Sequence, residues 1–304
     1  TSTTGDNNVS IGKDSMQDNT SGGNNVAIGF NALADNTTAN GIVAVGYKAL
    51  RKHTTGNTNT AVGYEALTEC TTGYENTACG NEALEDCTTG TRNTAVGNIA
   101  LRELTTGELN TAIGREAGRD MTTGNYNTFL GRSAGEQLTT GINNICIGND
   151  SGRAGTPGGT LTTGSNQICL GNNNITDFFC KVSLTATSDA RDKADVTDFT
   201  HGLSWINKLR PVTYRWDERS KYSKDLSVVP DGTYKKTRLN LGLLAQEELE
   251  VEKEHGYGND YNDMLIADVS KDGKQYSIKY ERLIPVLVNA IKELSAEVNS
   301  LKAA

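Results

Sequence analysis

A six-residue segment, 188–193, holds the side chains best suited to chemistry in this sequence. It reads SDARDK and places the hydroxyl of Ser188 five residues before the amine of Lys193. A serine hydroxyl becomes an effective nucleophile when a base takes its proton, and a neutral lysine amine is such a base. Ser188 and Lys193 are therefore candidate catalytic residues. The segment also fits a solvated turn capped by the serine, so the surrounding sequence has to decide.

The charges around Lys193 act in opposite directions. A lysine is protonated at neutral pH unless burial or a nearby cation favours its neutral form. Arg191 could favour that form, or it could stabilise an oxyanion, which makes it a candidate supporting residue. Asp192 lies beside Lys193 and Asp195 follows closely. Both carboxylates would stabilise the charged amine, so the base role of Lys193 stays open at this stage.

Other kinds of site find little support. The six cysteines contain no CxxC pair, which argues against a zinc site. No recurring pair of carboxylates indicates glycoside hydrolysis. We interpret His53, His201 and His255 as surface or structural residues, because they lie far apart in the sequence. We therefore predict a protein without a metal or cofactor.

Charge and hydropathy limit the partners. The net charge is −8, with 37 acidic and 29 basic residues, whereas nucleic-acid binding needs clustered basic residues. No apolar run approaches the length of about 18 residues that spans a membrane. We predict neither nucleic-acid binding nor membrane insertion. The first residues already resemble the repeat described next, so we expect the chain to start inside a longer protein rather than with a signal peptide.

A repeat of 17 residues occupies positions 1–180. It is marked by a glycine that closes a short apolar run, at Gly12, Gly29, Gly46, Gly63, Gly80, Gly97, Gly114, Gly131 and Gly148. Gly171 follows 23 residues later, with six extra residues around 153–159. So short a unit cannot bury a face alone, but stacked copies cover one another. The repeat predicts a mainly β solenoid of short stacked strands.

The consensus TTGxxNTAVGxxALxxx defines several columns along the stack. The residue before the closing glycine, such as Val62, and a leucine such as Leu67 are the expected contact positions between rungs. The leucine becomes Gly118 and then Gly135, so the core is expected to narrow or to repack there. An asparagine four residues before the closing glycine should form a hydrogen-bonded ladder. It recurs at Asn8, Asn25, Asn59, Asn76, Asn93, Asn110, Asn127 and Asn144.

Cysteines also fall into this repeat. Cys79, Cys146 and Cys169 occupy apolar positions, where a free thiol behaves as a small hydrophobic group. Cys70 and Cys87 occupy one column in adjacent repeats and should be neighbours. A disulfide between them is one alternative, and reduced thiols are the expectation for assembly in a cytoplasm.

Each rung carries few large apolar residues, so we infer that three chains share one axis as a homotrimer. The segment Asn25-Val26-Ala27-Ile28-Gly29 resembles the repeats of trimeric autotransporter adhesin heads. That resemblance implies a trimer of parallel β-rolls. The period of 17 residues is long for those heads, so an interwound triple β-helix remains the alternative.

The composition changes after Cys180. Residues 181–187 are predicted to be a linker, and residues 188–304 an α+β domain. A short helix or turn is expected at 203–209, around Trp205, with strands at 210–216 and 275–280 and a helix starting at Ala245. The final helix, 283–302, carries Leu283, Leu287, Ile291, Leu294, Val298 and Leu301. Their spacing of three and four predicts a coiled-coil seam, with packing on the helix's own domain as the alternative.

Four sequence blocks from Ser188 onwards resemble the intramolecular chaperone, peptidase family S74, at the C-terminus of phage tail spikes and fibres. They are SDxRxK from Ser188, LRPVTY from Leu209, GLLAQE from Gly242 and YERLIPVL from Tyr280. The blocks occur in the family's order at similar separations. One departure is Asp192, where the family has an apolar residue.

The resemblance implies a phage appendage whose last domain trimerises, guides folding of the β fibre and then cuts itself off. The family's serine and lysine map onto Ser188 and Lys193, and the scissile bond onto Ser188–Asp189. Asp192 leaves open whether this chain is an active, single-turnover peptidase. The expected location is the virion, after assembly in the bacterial cytoplasm, with a host receptor or glycan as a further partner. The alternative is a bacterial trimeric adhesin with a trimerisation domain that does not cleave.

Overall fold

The structure is a computed structural model that describes residues 4–153, 156, 159–181, 186–223, 226–270 and 273–303. The chain forms two compact units, Thr1–Thr176 and Asp177–Ala304. Part of the expected linker, residues 182–185, and part of the expected insertion, residues 154, 155, 157 and 158, lie outside the described residues.

The first unit confirms the predicted β-solenoid. Ten strands of three residues form one parallel sheet in sequence order. They are β1 (Val9–Ile11), β2 (Val26–Ile28), β3 (Val43–Val45), β4 (Thr60–Val62), β5 (Thr77–Cys79), β6 (Thr94–Val96), β7 (Thr111–Ile113), β8 (Thr128–Leu130), β9 (Ile145–Ile147) and β10 (Ile168–Leu170). Equivalent residues pair directly, as Val62 does with Cys79, so each coil of the solenoid is one sequence repeat.

The interior is built from small residues facing leucines. The middle residue of each strand points inward and is usually alanine, as at Ala61 and Ala95, while the leucine column is fully buried. The residue before the closing glycine does not join this core, contrary to the expectation. Ile11 is 58% exposed and Leu170 is 53% exposed. Side chains alternate across a strand, so placing the alanine inside turns both of its neighbours outward.

The core repacks where the sequence indicated. Phe129 replaces the inward alanine in β8 and is fully buried. A side chain at Gly118 or Gly135 would collide with its ring. Both glycines have positive φ angles, 59° and 61°, like the leucines that they replace. Loss of the leucine therefore makes room for the phenylalanine.

The predicted asparagine ladder is confirmed. Asn93 donates its backbone N–H to Asn76 Oδ1 over 3.0 Å and its side-chain amide to the Gly107 carbonyl over 2.8 Å. Asn110 in turn donates its N–H to Asn93 Oδ1 over 3.0 Å. Seven members of the column from Asn25 onward have no exposed surface: Asn25, Asn59, Asn76, Asn93, Asn110, Asn127 and Asn144. Each amide thus satisfies backbone groups that the corners would otherwise bury unpaired.

The second unit has the predicted α+β composition. Its helices are α1 (Leu203–Ile206), α2 (Ala245–Glu254) and α3 (Leu283–Ala303). Its strands are β11 (Val212–Tyr214), β12 (Asn240–Gly242), β13 (Ala267–Val269) and β14 (Tyr276–Ile278), in two antiparallel pairs, β11–β12 and β13–β14. Short 3-10 turns lie at Ala190–Asp192, Arg219–Lys221 and Tyr280–Arg282. Trp205, Val251, Ile266 and Val286 form its core.

Helix α3 uses only one side for this core. Val286 and Ala290 are buried, and Glu293 accepts a hydrogen bond from the Leu203 N–H over 2.7 Å. Leu283 packs on the core and therefore leaves the predicted seam. Seven large apolar residues of α3 are exposed: Val288 and a series formed by Ile284, Leu287, Ile291, Leu294, Val298 and Leu301. The six residues of the series keep an alternating spacing of three and four, and their side chains are exposed in the single chain.

Candidate functional site

The segment 188–193 forms a compact polar turn at the start of the S74-like sequence. Asp189 caps the 3-10 turn Ala190–Asp192 by accepting the Arg191 N–H on Oδ1 over 2.9 Å. The turn brings Lys193 back towards Ser188, and Lys193 Nζ donates a hydrogen bond to Ser188 Oγ over 2.6 Å. The two residues proposed from sequence are thus in contact across one turn of backbone.

Arg191 contacts the aspartate rather than the lysine. Its guanidinium binds the Asp189 carboxylate through both oxygens, with Nη2 2.6 Å from Oδ2. The guanidinium and the Arg191 N–H lower the pKa of Asp189 below its usual range. Arg191 therefore fixes the residue that follows the Ser188–Asp189 bond, and its charge is neutralised locally. Such an arginine orients Asp189, and its neutralised charge has little effect on a second cation.

The two carboxylates that oppose the base role do not engage the lysine in this arrangement. Among the residues that the structure describes, neither Asp192 nor Asp195 makes an ion pair with Lys193. Ser188, Lys193 and both aspartates are exposed to solvent in the single chain. A neutral lysine needs a site withdrawn from water. Ser188 and Lys193 therefore make the hydrogen bond expected of a nucleophile and its base, but the single chain does not shield them from solvent.

A second polar cluster, not anticipated from the sequence, lies in the core of the same unit. Glu248 is 1% exposed and accepts a hydrogen bond from Trp205 Nε1 over 2.9 Å. Its Oε2 atom is buried and lacks a hydrogen-bond partner among the described residues. Burial, with a smaller contribution from the neighbouring Glu252 carboxylate, raises the pKa of Glu248 to about 7. Glu248 is therefore a proton-binding group near neutral pH.

Trp205, the hydrogen-bond partner of Glu248, lies among other aromatic rings. His255 stacks on Trp205 with ring centroids 4.7 Å apart, and His201 meets His255 edge-on at 4.8 Å. His201 and His255, which lie far apart in the sequence, thus contact each other in the fold. Glu252, also buried, accepts backbone N–H groups from residues 265–267 and so fastens α2 to β13.

A sequence signal for the buried glutamates existed. Ala245, Glu248, Leu249 and Glu252 follow the i, i+3, i+4, i+7 spacing of a buried helix stripe. Glutamates usually mark the solvated side of a helix, so this pattern alone does not predict that Glu248 and Glu252 are buried.

Metal binding and disulfides find no support within the described residues. No group of three or more His, Cys, Asp or Glu side chains lies close enough to hold a metal ion there. Cys70 and Cys87 are buried, free thiols. A hydrogen bond with Cys70, together with burial, raises the pKa of Cys87 well above its usual range. No helix in the described part of the chain is both long and apolar enough to cross a membrane.

The architecture is a parallel β-solenoid followed in the chain by a small α+β unit. Residues 188–257 match the model of the peptidase S74 family, described as the chaperone of endosialidase. The match begins at Ser188 and includes Lys193, Glu248 and Glu252. No curated protein and no solved structure matches the chain. The family match implies a phage-type intramolecular chaperone attached to a β-helical fibre.

Proposed function

We propose that this chain is a segment of a phage tail fibre or similar appendage whose second unit assembles three chains, guides folding of the solenoid and then cuts the Ser188–Asp189 bond. The match over residues 188–257 supports the chaperone role. The contact between Lys193 Nζ and Ser188 Oγ is the observation that carries the cleavage proposal. The pair lies between the solenoid and the rest of the chaperone domain in sequence, where cleavage would release the fibre.

The proposed chemistry needs no group beyond the protein and water. Neutral Lys193 accepts the Ser188 hydroxyl proton as Oγ attacks the carbonyl carbon of the scissile bond. The carbon–nitrogen bond then breaks, and the new amino group of Asp189 takes a proton from the lysine. Water hydrolyses the resulting ester and restores the hydroxyl. Arg191 holds Asp189 in place throughout this sequence.

Ring geometry links the reaction to assembly. Attack by Ser188 Oγ on the carbonyl of its own residue would close a four-membered ring. We therefore propose that Ser188 of one copy attacks the Ser188–Asp189 bond of another copy. Packing between copies would also withdraw the exposed Lys193 from water and favour its neutral form. Cleavage would then follow correct assembly.

The wider biological setting follows from the same proposal. The fibre is a component of the virion, assembled in the bacterial cytoplasm, and its free thiols fit that compartment. A receptor or glycan on the host surface is the proposed target of the mature appendage. The alternative is a bacterial trimeric adhesin with an uncut trimerisation domain, and the exposure of Ser188 and Lys193 in the single chain favours it.

Intact-mass spectrometry under denaturing conditions tests the cleavage proposal. We expect two fragments from the wild-type chain, the second beginning at Asp189, and one intact chain from Ser188→Ala. Lys193→Arg keeps the charge but cannot act as the base, so it should also stay intact. Thr187→Ala, which removes the neighbouring exposed hydroxyl, is the control and should be cut. An uncut wild-type trimer would leave the chaperone role but remove the peptidase, and would favour the adhesin.

Mixed trimers test the route of attack. The wild-type chain and a Ser188→Ala chain carrying a distinguishable tag would be co-expressed and purified together. Cleavage of the Ser188→Ala chain is expected only in the mixture. If that chain stays intact within mixed trimers, attack between copies is wrong.

A further inference from the structure

The outer face of the solenoid sheet carries an unbroken apolar column that is left uncovered by the described residues of its own unit. The column, which we call the outer stripe, consists of the third residue of each strand. Its members are Ile11, Ile28, Val45, Val62, Cys79, Val96, Ile113, Leu130, Ile147 and Leu170. Ile28 and Val45 are half-buried, and the other members, including Cys79, are exposed. The exposed aliphatic members range from 37% exposure at Val96 to 58% at Ile11.

This face is unlike the rest of the unit's surface. None of the ten strands contains a charged residue, although 22% of the whole chain is charged. Charged side chains lie in the turns and pair along the stack, as Lys48 does with Glu65 over 2.8 Å. Parallel sheets are normally covered on both faces. An uncharged parallel sheet with one open face is therefore a surface for another polypeptide.

The spacing of the outer stripe selects its partner. Neighbouring strands lie about 4.8 Å apart, so the column runs for about 43 Å. A coiled-coil seam presents one apolar residue about every 5.2 Å. Over this length, the residues of such a seam would fall out of step with the outer stripe by most of one rung. A second copy of the same solenoid, parallel and in the same register, carries the same repeat and stays matched from end to end.

We propose that the outer stripe is the surface through which three copies of this solenoid pack around a common axis. This inference rests on the proposed trimer and adds the surface that forms it. Cyclic symmetry places equivalent residues at the same height, so Cys79 of each copy would lie near Cys79 of the others. Cys79 is an exposed thiol flanked in the column by Val62 and Val96.

Cysteine crosslinking in the full-length chain tests the proposal. The background carries Cys180→Ser and Cys169→Ala, which remove the other thiols that are not fully buried. A short bismaleimide links two cysteines when each sulfur adds to one maleimide double bond and the displaced proton ends on the ring carbon. Cys79 should give covalent dimers on a denaturing gel. Cys79→Val, which copies its neighbours, should lose them.

Two further variants locate the contact. Val62→Cys in the Cys79→Val background should restore the dimers, because Val62 lies one rung away in the outer stripe. Thr72→Cys in the same background places an exposed thiol in a corner of the same region and should crosslink at least tenfold less. The oligomeric state of every variant is measured by light scattering at the same concentration.

The outcomes separate this inference from the proposed function. A trimer in which Cys79 crosslinks no better than Thr72→Cys would refute the outer stripe as the interface and leave the proposed function standing. A trimer in which Cys79 reacts with a bulky maleimide as fast as Thr72→Cys would also refute it, since the stripe would be uncovered and open to another partner. A monomer would remove both the interface and the trimeric chaperone.

Discussion

Replacing the buried glutamate of α2 by its neutral amide should stabilise the second unit in a pH-dependent manner. Glu248 has a pKa of about 7 in the folded unit, against 4.5 for an ordinary glutamate. Folding therefore favours its protonated form. The stability that this form contributes is fully present below pH 4.5 and is lost as the pH rises through 7.

The size of this effect follows from the two pKa values. A tenfold change in proton affinity corresponds to about 1.4 kcal/mol, which sets an upper limit of about 3 kcal/mol for the loss between pH 4 and pH 8. Glu248→Gln keeps an acceptor for Trp205 Nε1 but does not titrate. We expect the variant to be more stable than wild type by about 2–3 kcal/mol at pH 8 and nearly equal to it at pH 4.5.

The assay is urea unfolding followed by fluorescence. Trp205 and Trp216 are the two tryptophans of the chain, so Trp216→Phe leaves the buried Trp205 as the reporter of its own unit. All variants carry this change and are compared at one concentration. Glu247→Gln is the matched control, since that carboxylate is exposed and pairs with Arg210. If the difference between Glu248→Gln and wild type is the same at both pH values, the assignment of Glu248 as the titrating group is wrong.

Three other substitutions test the packing of each unit. Asn93→Ala should destabilise the solenoid by about 2–4 kcal/mol in chemical denaturation, because it leaves the Gly107 carbonyl and the Asn110 N–H unpaired. The control Asn98→Ala, at an exposed position, should have a small effect. Gly97→Ala should cost at least about 2 kcal/mol, since its φ is 138° and an added Cβ would lie 2.5 Å from the Gly114 carbonyl oxygen; an unchanged melting temperature would contradict this. Ile291→Glu on the exposed seam of α3 should lower the trimer fraction in sedimentation at least tenfold, while Lys292→Glu should not, and equal loss from both would argue against a coiled coil.

Short-range features were predictable because local spacing determines them. Residues repeated every 17 positions stack on their equivalents, so the rungs, their register and the asparagine ladder follow from periodicity. The contact between Ser188 and Lys193 spans one turn, and the residue types themselves indicated it. The replacement of the repeated leucine by Gly118 and Gly135 likewise predicted a change in the core. It did not predict that the ring of Phe129 would fill the space.

Tertiary packing decided which of the apolar and acidic side chains are buried. The sequence offers two apolar columns, one containing Val62 and one containing Leu67, and no pattern states that only one is buried. The narrow coil accepts an alanine opposite each leucine, so the strand alternation sends the larger valine or isoleucine outward. In the same way, contact with Trp205 made Glu248 a buried acid, and tertiary packing brought His201 to His255. These outcomes follow from volume and enclosure, which exist only once distant segments meet.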